Sequence, residues 1–288
     1  MTPRPDAELA GRLAVVTGAN SGIGRATATE LARRGANVIL ACRTEEKTAP
    51  VIQHIAGVTG NHRLTFQRLD LGDLASVREA AAGILALDAP IDLLINNAGL
   101  AGQRGITKDG FELAFGTNHL GHFLLTTLLL DRIVAAGPAR IVNVSSDSHF
   151  QPKSLDLAAM QQSTRSYVAM KEYGASKLCN VLFTQELARR HDPEVLSAFA
   201  VHPGVVASDV WRRIPGPVAT VFKKAVRMKS NEEGSRSSVF TATEPGIEHL
   251  SGSYFDADAT VKAPNPIATP ALAAELWACS EAWTAAPA

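Results

Sequence analysis

Thr17-Gly18-Ala19-Asn20-Ser21-Gly22-Ile23-Gly24 is the stretch whose reading decides the fold. An apolar run, LAVV from Leu13, leads into it, and a helix-patterned segment over residues 22–34 leaves it. Gly18, Gly22 and Gly24 withhold side chains where a tight turn must let the backbone approach a pyrophosphate. The helix behind offers free N–H groups and its positive end to the same anion. Glycine-rich turns are common by themselves, and what gives this one meaning is a strand before it, a helix after it and further strand–helix units downstream. Asn20, Ser21 and Ile23 complete the cradle as candidate cofactor-binding residues.

Outward from that turn, short β-branched runs alternate with longer helical patterns. Strands are expected over residues 13–17, 37–41, 64–69, 91–96, 140–145 and 196–202, with a weaker one over 253–255, and helices over 22–34, 73–87, 111–136, 166–190 and 270–283. Most of the strand runs are almost continuously apolar, as strands covered on both faces must be. The expected architecture is an α/β, Rossmann-like doubly wound parallel sheet of about seven strands in a single domain over residues 1–288. In such a sheet, ligands bind beyond the carboxyl ends of the strands.

With 46% hydrophobic and 19% charged residues, the chain has the balance of a protein that buries a large core. Its 28 Lys and Arg offset 28 Asp and Glu, so net charge draws it neither to nucleic acid nor to an anionic membrane, and a small-molecule partner is the expectation. Cys42, Cys179 and Cys279 form no CxxC pair, and no disulfide framework or metal site is expected. The opening MTPRPDAELAGR lacks the apolar run of an export signal, and the apolar stretch 120–134 is interrupted by Gly121, His122, Asp131 and Arg132. A cytoplasmic protein without a membrane span is expected, with 120–134 a buried helix. Residues 205–230 follow a strand but have no clean period, and are read as a mobile flap over the site, the alternative being a plain surface excursion.

The end of the second strand bears on the choice of dinucleotide. An Asp or Glu there would hold a ribose 2′-hydroxyl, whereas the chain places Arg43, whose guanidinium fork suits a 2′-phosphate. NADP is the expected cofactor, and the alternative is an ordinary surface arginine. Asp70, with Leu71 beside it, closes the third strand and is placed either to accept from the adenine amino group or, like Asp73, to cap a helix.

Tyr173 and Lys177 stand four apart in the helical stretch YGASK, so both project from one face. An ammonium about 4 Å from a phenol favours the phenolate by about 4 kcal/mol at an effective dielectric near 20, before desolvation opposes it. The pair is therefore expected to bring the tyrosine toward neutrality, where proton transfer is efficient. RIVNVSS, residues 140–146, is a strand ending in two serines, of which Ser146 is preferred over Ser145 as the hydroxyl that meets a substrate carbonyl. His119 and His122 are three apart on a helix but have no carboxylate or Cys at ligand spacing, so packing rather than metal binding is expected. Cys179 is expected to be a buried small hydrophobe rather than a nucleophile.

Taken in order, TGANSGIG, NNAG at 96–99, TNHLGHF at 117–123, VNVSS, YGASK and HPG at 202–204 resemble the short-chain dehydrogenase/reductase family over nearly the whole chain. Within it, they resemble the branch of retinol dehydrogenases and protochlorophyllide reductases. The resemblance implies a tetrad. Ser146 orients the substrate oxygen, Tyr173 gives or takes its proton, Lys177 holds the nicotinamide ribose and lowers the tyrosine pKa, and Asn118 positions a water that relays protons to Lys177. It further implies that Asn97, Ala98 and Gly99 pack beside the cofactor, and that Pro203, Gly204, Val206 and Ser208 brace its nicotinamide end. A homodimer or homotetramer through the long helices is implied as well. Ser146 and Tyr173 are 173 − 146 = 27 residues apart, longer than in compact members, so the insert 147–166 is expected to form part of the substrate pocket. The N-terminal membrane helix of many retinol-processing relatives is not expected in MTPRPDAELAGR. The expected activity is NADP(H)-dependent interconversion of a carbonyl and an alcohol. The alternatives are reduction of a C=C or C=N bond, and a cofactor-binding sensor without turnover.

Overall fold

The computed structural model describes residues 8–206 and 229–285. β1 (Leu13–Thr17), β2 (Asn37–Cys42), β3 (Leu64–Arg68), β4 (Leu93–Asn96), β5 (Ala139–Val144), β6 (Leu196–Val201), β7 (Tyr254–Phe255) and β8 (Val261–Lys262) form one sheet in the order β3-β2-β1-β4-β5-β6-β7-β8. All neighbours pair in parallel except β7 and β8. The expected seven strands are thus eight: β8 is two exposed residues on the sheet edge, too short to carry an alternation of apolar and polar positions.

Successive strand residues serve opposite faces, which is why these strands are apolar throughout. Val15, Ile39, Leu94 and Ile141 face α3 (Leu74–Leu85), α5 (Gly121–Ala136) and α6 (Met170–Arg190). Their neighbours Val16, Leu40, Ile95 and Val142 face α1 (Gly22–Arg33), α2 (Glu45–Thr59) and α7 (Asn231–Thr243). The chain reverses direction along the sheet between β1 and β4, so the carboxyl ends of those two strands open onto a common crevice.

Three helices depart from the sequence expectation. The helix expected over 111–136 starts as α4 (Leu113–Phe115), capped by the carboxylate of Glu112 on Phe115 N at 2.8 Å, and passes through a π-turn, Gly116–Leu120, into α5. The helix expected from 166 starts at 170, because the Glu172 carboxylate draws in Ser166 N at 2.8 Å and Arg165 N at 3.1 Å, folding the intervening residues into a turn. α7 carries no strong apolar stripe, since its buried side is largely Gly234, Ser235, Ser237 and Ser238; its reciprocal Ser230–Glu233 capping box marks its start.

Among the described residues, one helical segment, Leu113–Ala136, is long and apolar enough to cross a membrane, and 56% of its most apolar window is buried in the fold. The C-terminal helix α8 (Pro270–Thr284) lies across the long helices. Its Trp277 sits 5.0 Å from Phe123 of α5 and 5.8 Å from Phe183 of α6, with Arg190 stacked over the indole at 4.1 Å. Contacts of this kind contribute about 0.5–1.5 kcal/mol each beyond the area they bury.

Candidate active site

Ser21 takes the N-cap position of α1 in an extended conformation, yet its side chain makes no capping hydrogen bond, so the first-turn N–H groups receive nothing from it. Gly18 and Gly22 adopt positive φ, +65° and +54°, which side-chain-bearing residues rarely adopt. At Gly24 a Cβ would stand 2.4 Å from both Asn97 Nδ2 and Gly18 O. These features fit a phosphate laid against the backbone, and the residues present therefore suit a dinucleotide.

The turn is braced from β4. Asn97 Nδ2 donates to Thr17 O at 2.8 Å, and the Thr17 hydroxyl accepts from Asn97 N and Ala98 N, both at 2.9 Å. His122 joins the same hydroxyl through Nε2 at 2.8 Å, while its Nδ1 meets Asn118 O at 2.9 Å. A ring nitrogen facing a carbonyl must carry the proton, so Nε2 is the acceptor and Thr17 donates to it. Burial lowers the His122 pKa to about 4 and that of His119 to about 3. His119 packs against Phe115 and Phe183 and reaches Ser280 Oγ at 3.2 Å. Both histidines are accounted for by packing. Thr17 was not singled out in the sequence, although its place at the end of the first strand marks it.

Arg43 is exposed at the end of β2 and forms no ion pair among the described residues. Asp70 accepts from Gly72 N at 3.0 Å, whereas Asp73 is the residue that caps α3, through Ala75 N and Ser76 N. Leu71 is buried in the core. Pro203 O, Ile23 and Val206 converge on Gly234, where a Cβ would meet Val206 Cγ2 at 2.5 Å. Gly234 is a further residue that sequence reasoning missed. Gly204 sits at φ +82° against Lys229. Ser208 and most of the segment 205–230, the expected flap, lie outside the described residues; Lys229 N donates to Val205 O at 2.9 Å.

The four tetrad candidates come together at the carboxyl ends of β4 and β5. The Ser145 hydroxyl donates to Lys177 O at 2.8 Å, whereas Ser146 is half-buried and its hydroxyl neighbours Tyr173. Asn118, inside the π-turn and fully buried, is spent on protein: Oδ1 accepts from Leu100 N at 2.9 Å, and Nδ2 donates to Leu100 O and Ser176 Oγ. Gly99 lies between it and Lys177; a Cβ there would be 3.2 Å from Asn118 Oδ1 and 3.5 Å from Lys177 Nζ.

The electrostatics depart from the spacing argument. Burial raises the Tyr173 pKa, opposed only by its hydrogen bond with Ser146. Lys177 Nζ stands 5.7 Å from the Tyr173 ring centre and donates to Val144 O at 2.9 Å, and burial lowers its pKa to about 8. The expected acidification of the phenol by Lys177 has no counterpart in this arrangement: Nζ is aimed at a backbone carbonyl of β5, and burial sets the direction for Tyr173. Cys179 is fully buried and its pKa is raised by that burial, in keeping with a packed thiol.

The insert divides its residues between two tasks. Leu155, Leu157 and Met160 pack into a core cluster with Phe111, Leu178 and Leu276. Its opening turn lies against the site, with Ser148 O 2.9 Å from where a Cβ on Gly174 would stand. Asp147, His202 and Asp256 also cluster nearby, their ligating atoms within 4.8 Å of one another, but Tyr254 donates to Asp147 and Lys262 pairs with Asp256. A separate groove of about 910 Å³ between α1 and α7, lined by Arg25, Glu30, Arg33 and Arg236 among others, touches none of the tetrad.

Residues 12–216 match the short chain dehydrogenase family. The chain is 42% identical over 281 residues to retinol dehydrogenase 13 of Homo sapiens, covering 94% of this chain and 84% of that protein. A crystal structure of a Mycobacterium paratuberculosis protein superposes with a TM-score of 0.75 at 36% identity, covering 96% of this chain and 94% of that one. A Beutenbergia cavernae structure, assigned as an NAD(P)-dependent gluconate 5-dehydrogenase with NADP at low occupancy, gives a TM-score of 0.70 at 28% identity over 88% and 98% of the two chains. With its glycine turn, its NNAG brace and its Ser146–Tyr173–Lys177 cluster on one crevice, the chain belongs to the short-chain dehydrogenase/reductase family of oxidoreductases, in its retinol dehydrogenase-like branch.

Proposed function

We propose that this protein is an NADP(H)-dependent oxidoreductase that moves a hydride between the nicotinamide and a carbonyl or alcohol carbon of a small apolar substrate, with Tyr173 as general acid and base. The observation that carries it is the convergence of Ser146, Tyr173 and Lys177 at the carboxyl end of β5, beside the crevice whose other wall is the phosphate-fitting turn. Gly18, Asn20, Ser21, Ile23 and Gly24 would hold the pyrophosphate, Arg43 the 2′-phosphate, and Lys177 the nicotinamide ribose. When bound, the dinucleotide supplies or accepts the hydride. In the reductive direction, the Ser146 hydroxyl holds the substrate oxygen and Tyr173 hands its phenolic proton to that oxygen as the carbon is reduced. Burial keeps the phenol protonated at neutral pH, so the proton to be donated is in place.

The retinol dehydrogenases among its relatives support an apolar alcohol or aldehyde as substrate. So do Phe150, Tyr167 and Val168, exposed apolar residues next to the segments that carry Ser146 and Tyr173. The test is NADPH oxidation by the purified protein, followed by nicotinamide absorbance with apolar aldehydes, ketones, enones and imines. Turnover of aldehydes or ketones is the expected result. Turnover confined to enones or imines would move the reaction to C=C or C=N bonds, and NADPH binding without turnover of any class would make the protein a sensor.

A further inference from the structure

Ser146 opens a short 3₁₀ turn, Asp147–Phe150, and its Oγ accepts from Ser148 N at 3.2 Å. Its carbonyl is held twice by one residue, through His149 N at 2.9 Å and His149 Nδ1 at 2.7 Å. Because a carbonyl only accepts, Nδ1 carries the ring proton and Nε2 is left with a lone pair. That lone pair meets Asn265 N at 3.2 Å, and an amide N–H only donates. The two backbone contacts together define one neutral tautomer. Asn265, 4% exposed, closes the arrangement by donating Nδ2 to His149 O at 2.8 Å and to Pro152 O at 2.9 Å.

His149 itself is fully buried, its ring 3.9 Å from that of Phe150 and 4.4 Å from that of Tyr254. An apolar side chain would fill such a slot without the desolvation that an imidazole incurs, so packing alone does not explain a histidine there.

We infer that His149 is a positioning residue for the reaction at Ser146: its Nδ1–H tautomer, imposed by Asn265, clamps the Ser146 carbonyl and so aims the Ser146 hydroxyl at Tyr173. This rests on the functional reading given above. Protonation at Nε2 would set an N–H against the Asn265 N–H, so the clamp works only with the ring neutral. Burial lowers the His149 pKa and keeps it neutral. The charged and titratable groups around it are Asp147 on its own turn, Tyr254 of β7 and His202 at the end of β6; His202 faces in turn Asp147, Asp256, Lys229 and Lys262. The segment that supplies Asn265 contributes no charge to this contact.

The experiment uses the full chain with NADPH and an aldehyde that the wild type reduces. His149→Ala is expected to lower kcat at least tenfold while the Kd for NADPH, read by fluorescence titration, stays within twofold. In His149→Asn the amide nitrogen stands near the position of Nδ1, and most of the lost kcat returns; in His149→Gln, whose amide stands nearer Nε2, it does not. A fall of kcat on the acid side of the pH profile is expected in the wild type and is expected to be absent in His149→Asn. Independently of turnover, ¹⁵N shifts of the wild-type ring report a protonated Nδ1 and a bare Nε2 between pH 6 and 8. A ring protonated at Nε2, or a kcat for His149→Ala within twofold of wild type, overturns the inference. A wild type that reduces nothing while its ring holds the Nδ1–H tautomer overturns instead the functional reading beneath it.

Discussion

At the scale of single residues, chemistry and position were legible to different degrees. Tyr173 and Lys177 could be paired from their spacing of four, but the direction of Nζ could not, because the carbonyl that captures it belongs to Val144, on a strand some thirty residues earlier. Arg43 is the reverse case: a guanidinium at the end of β2 is read directly from sequence, and the fold leaves it exposed with no ion pair among the described residues. A charge-assisted contact with a 2′-phosphate contributes about 1.5–3 kcal/mol, or about 10- to 100-fold in affinity. Arg43→Asp is therefore expected to raise the Kd for NADPH by at least tenfold and to leave that for NADH unchanged or improved, as measured by fluorescence titration. Equal weakening of both would remove Arg43 from the 2′-phosphate site. His149 and Asn265 gave no sequence signal, since their roles depend on a contact across 116 residues.

At the scale of elements, strands and long helices were legible because they are periodic, and the exceptions lie where side chains rather than period set the boundary. Glu112 and Glu172 each displace a helix start by hydrogen-bonding backbone N–H groups, and β8 is too short to have a period. The π-turn Gly116–Leu120 places Asn118 against Leu100, carries His119 and leads into α5, which carries His122; both histidines are buried without charge. These two have a consequence for stability. Their folded pKa values, about 3 and about 4, lie below the unfolded value of about 6.5, so their contribution is fully present above about pH 6.5 and is lost as pH falls toward the folded values. Each pH unit in that window costs about 1.4 kcal/mol per histidine. Replacing His119 with Phe should flatten the acid side of a plot of urea-unfolding free energy against pH; an unchanged slope between pH 6.5 and 4.5 would mean that His119 titrates alike in both states.

At the scale of the whole molecule, the order β3-β2-β1-β4-β5-β6-β7-β8 brings the glycine turn after β1, the NNAG segment after β4 and the serine after β5 to one edge of the sheet. Stretches of sequence well over a hundred residues apart thereby share one crevice, and that convergence is what a linear reading supplies only through the order of its motifs. The insert is less legible for the same reason: it gives Leu155, Leu157 and Met160 to a core cluster and sets its first turn beside Ser146. The account as a whole depends on the phenol of Tyr173 moving the substrate's proton. Single-turnover reduction by the wild type and by Tyr173→Phe, each with NADPH already bound, tests this most directly. The account predicts a rate about 10²- to 10⁴-fold lower in the variant, about 3 to 5 kcal/mol, with its NADPH affinity unchanged; a variant that reduces substrate within a few-fold of wild type would contradict it.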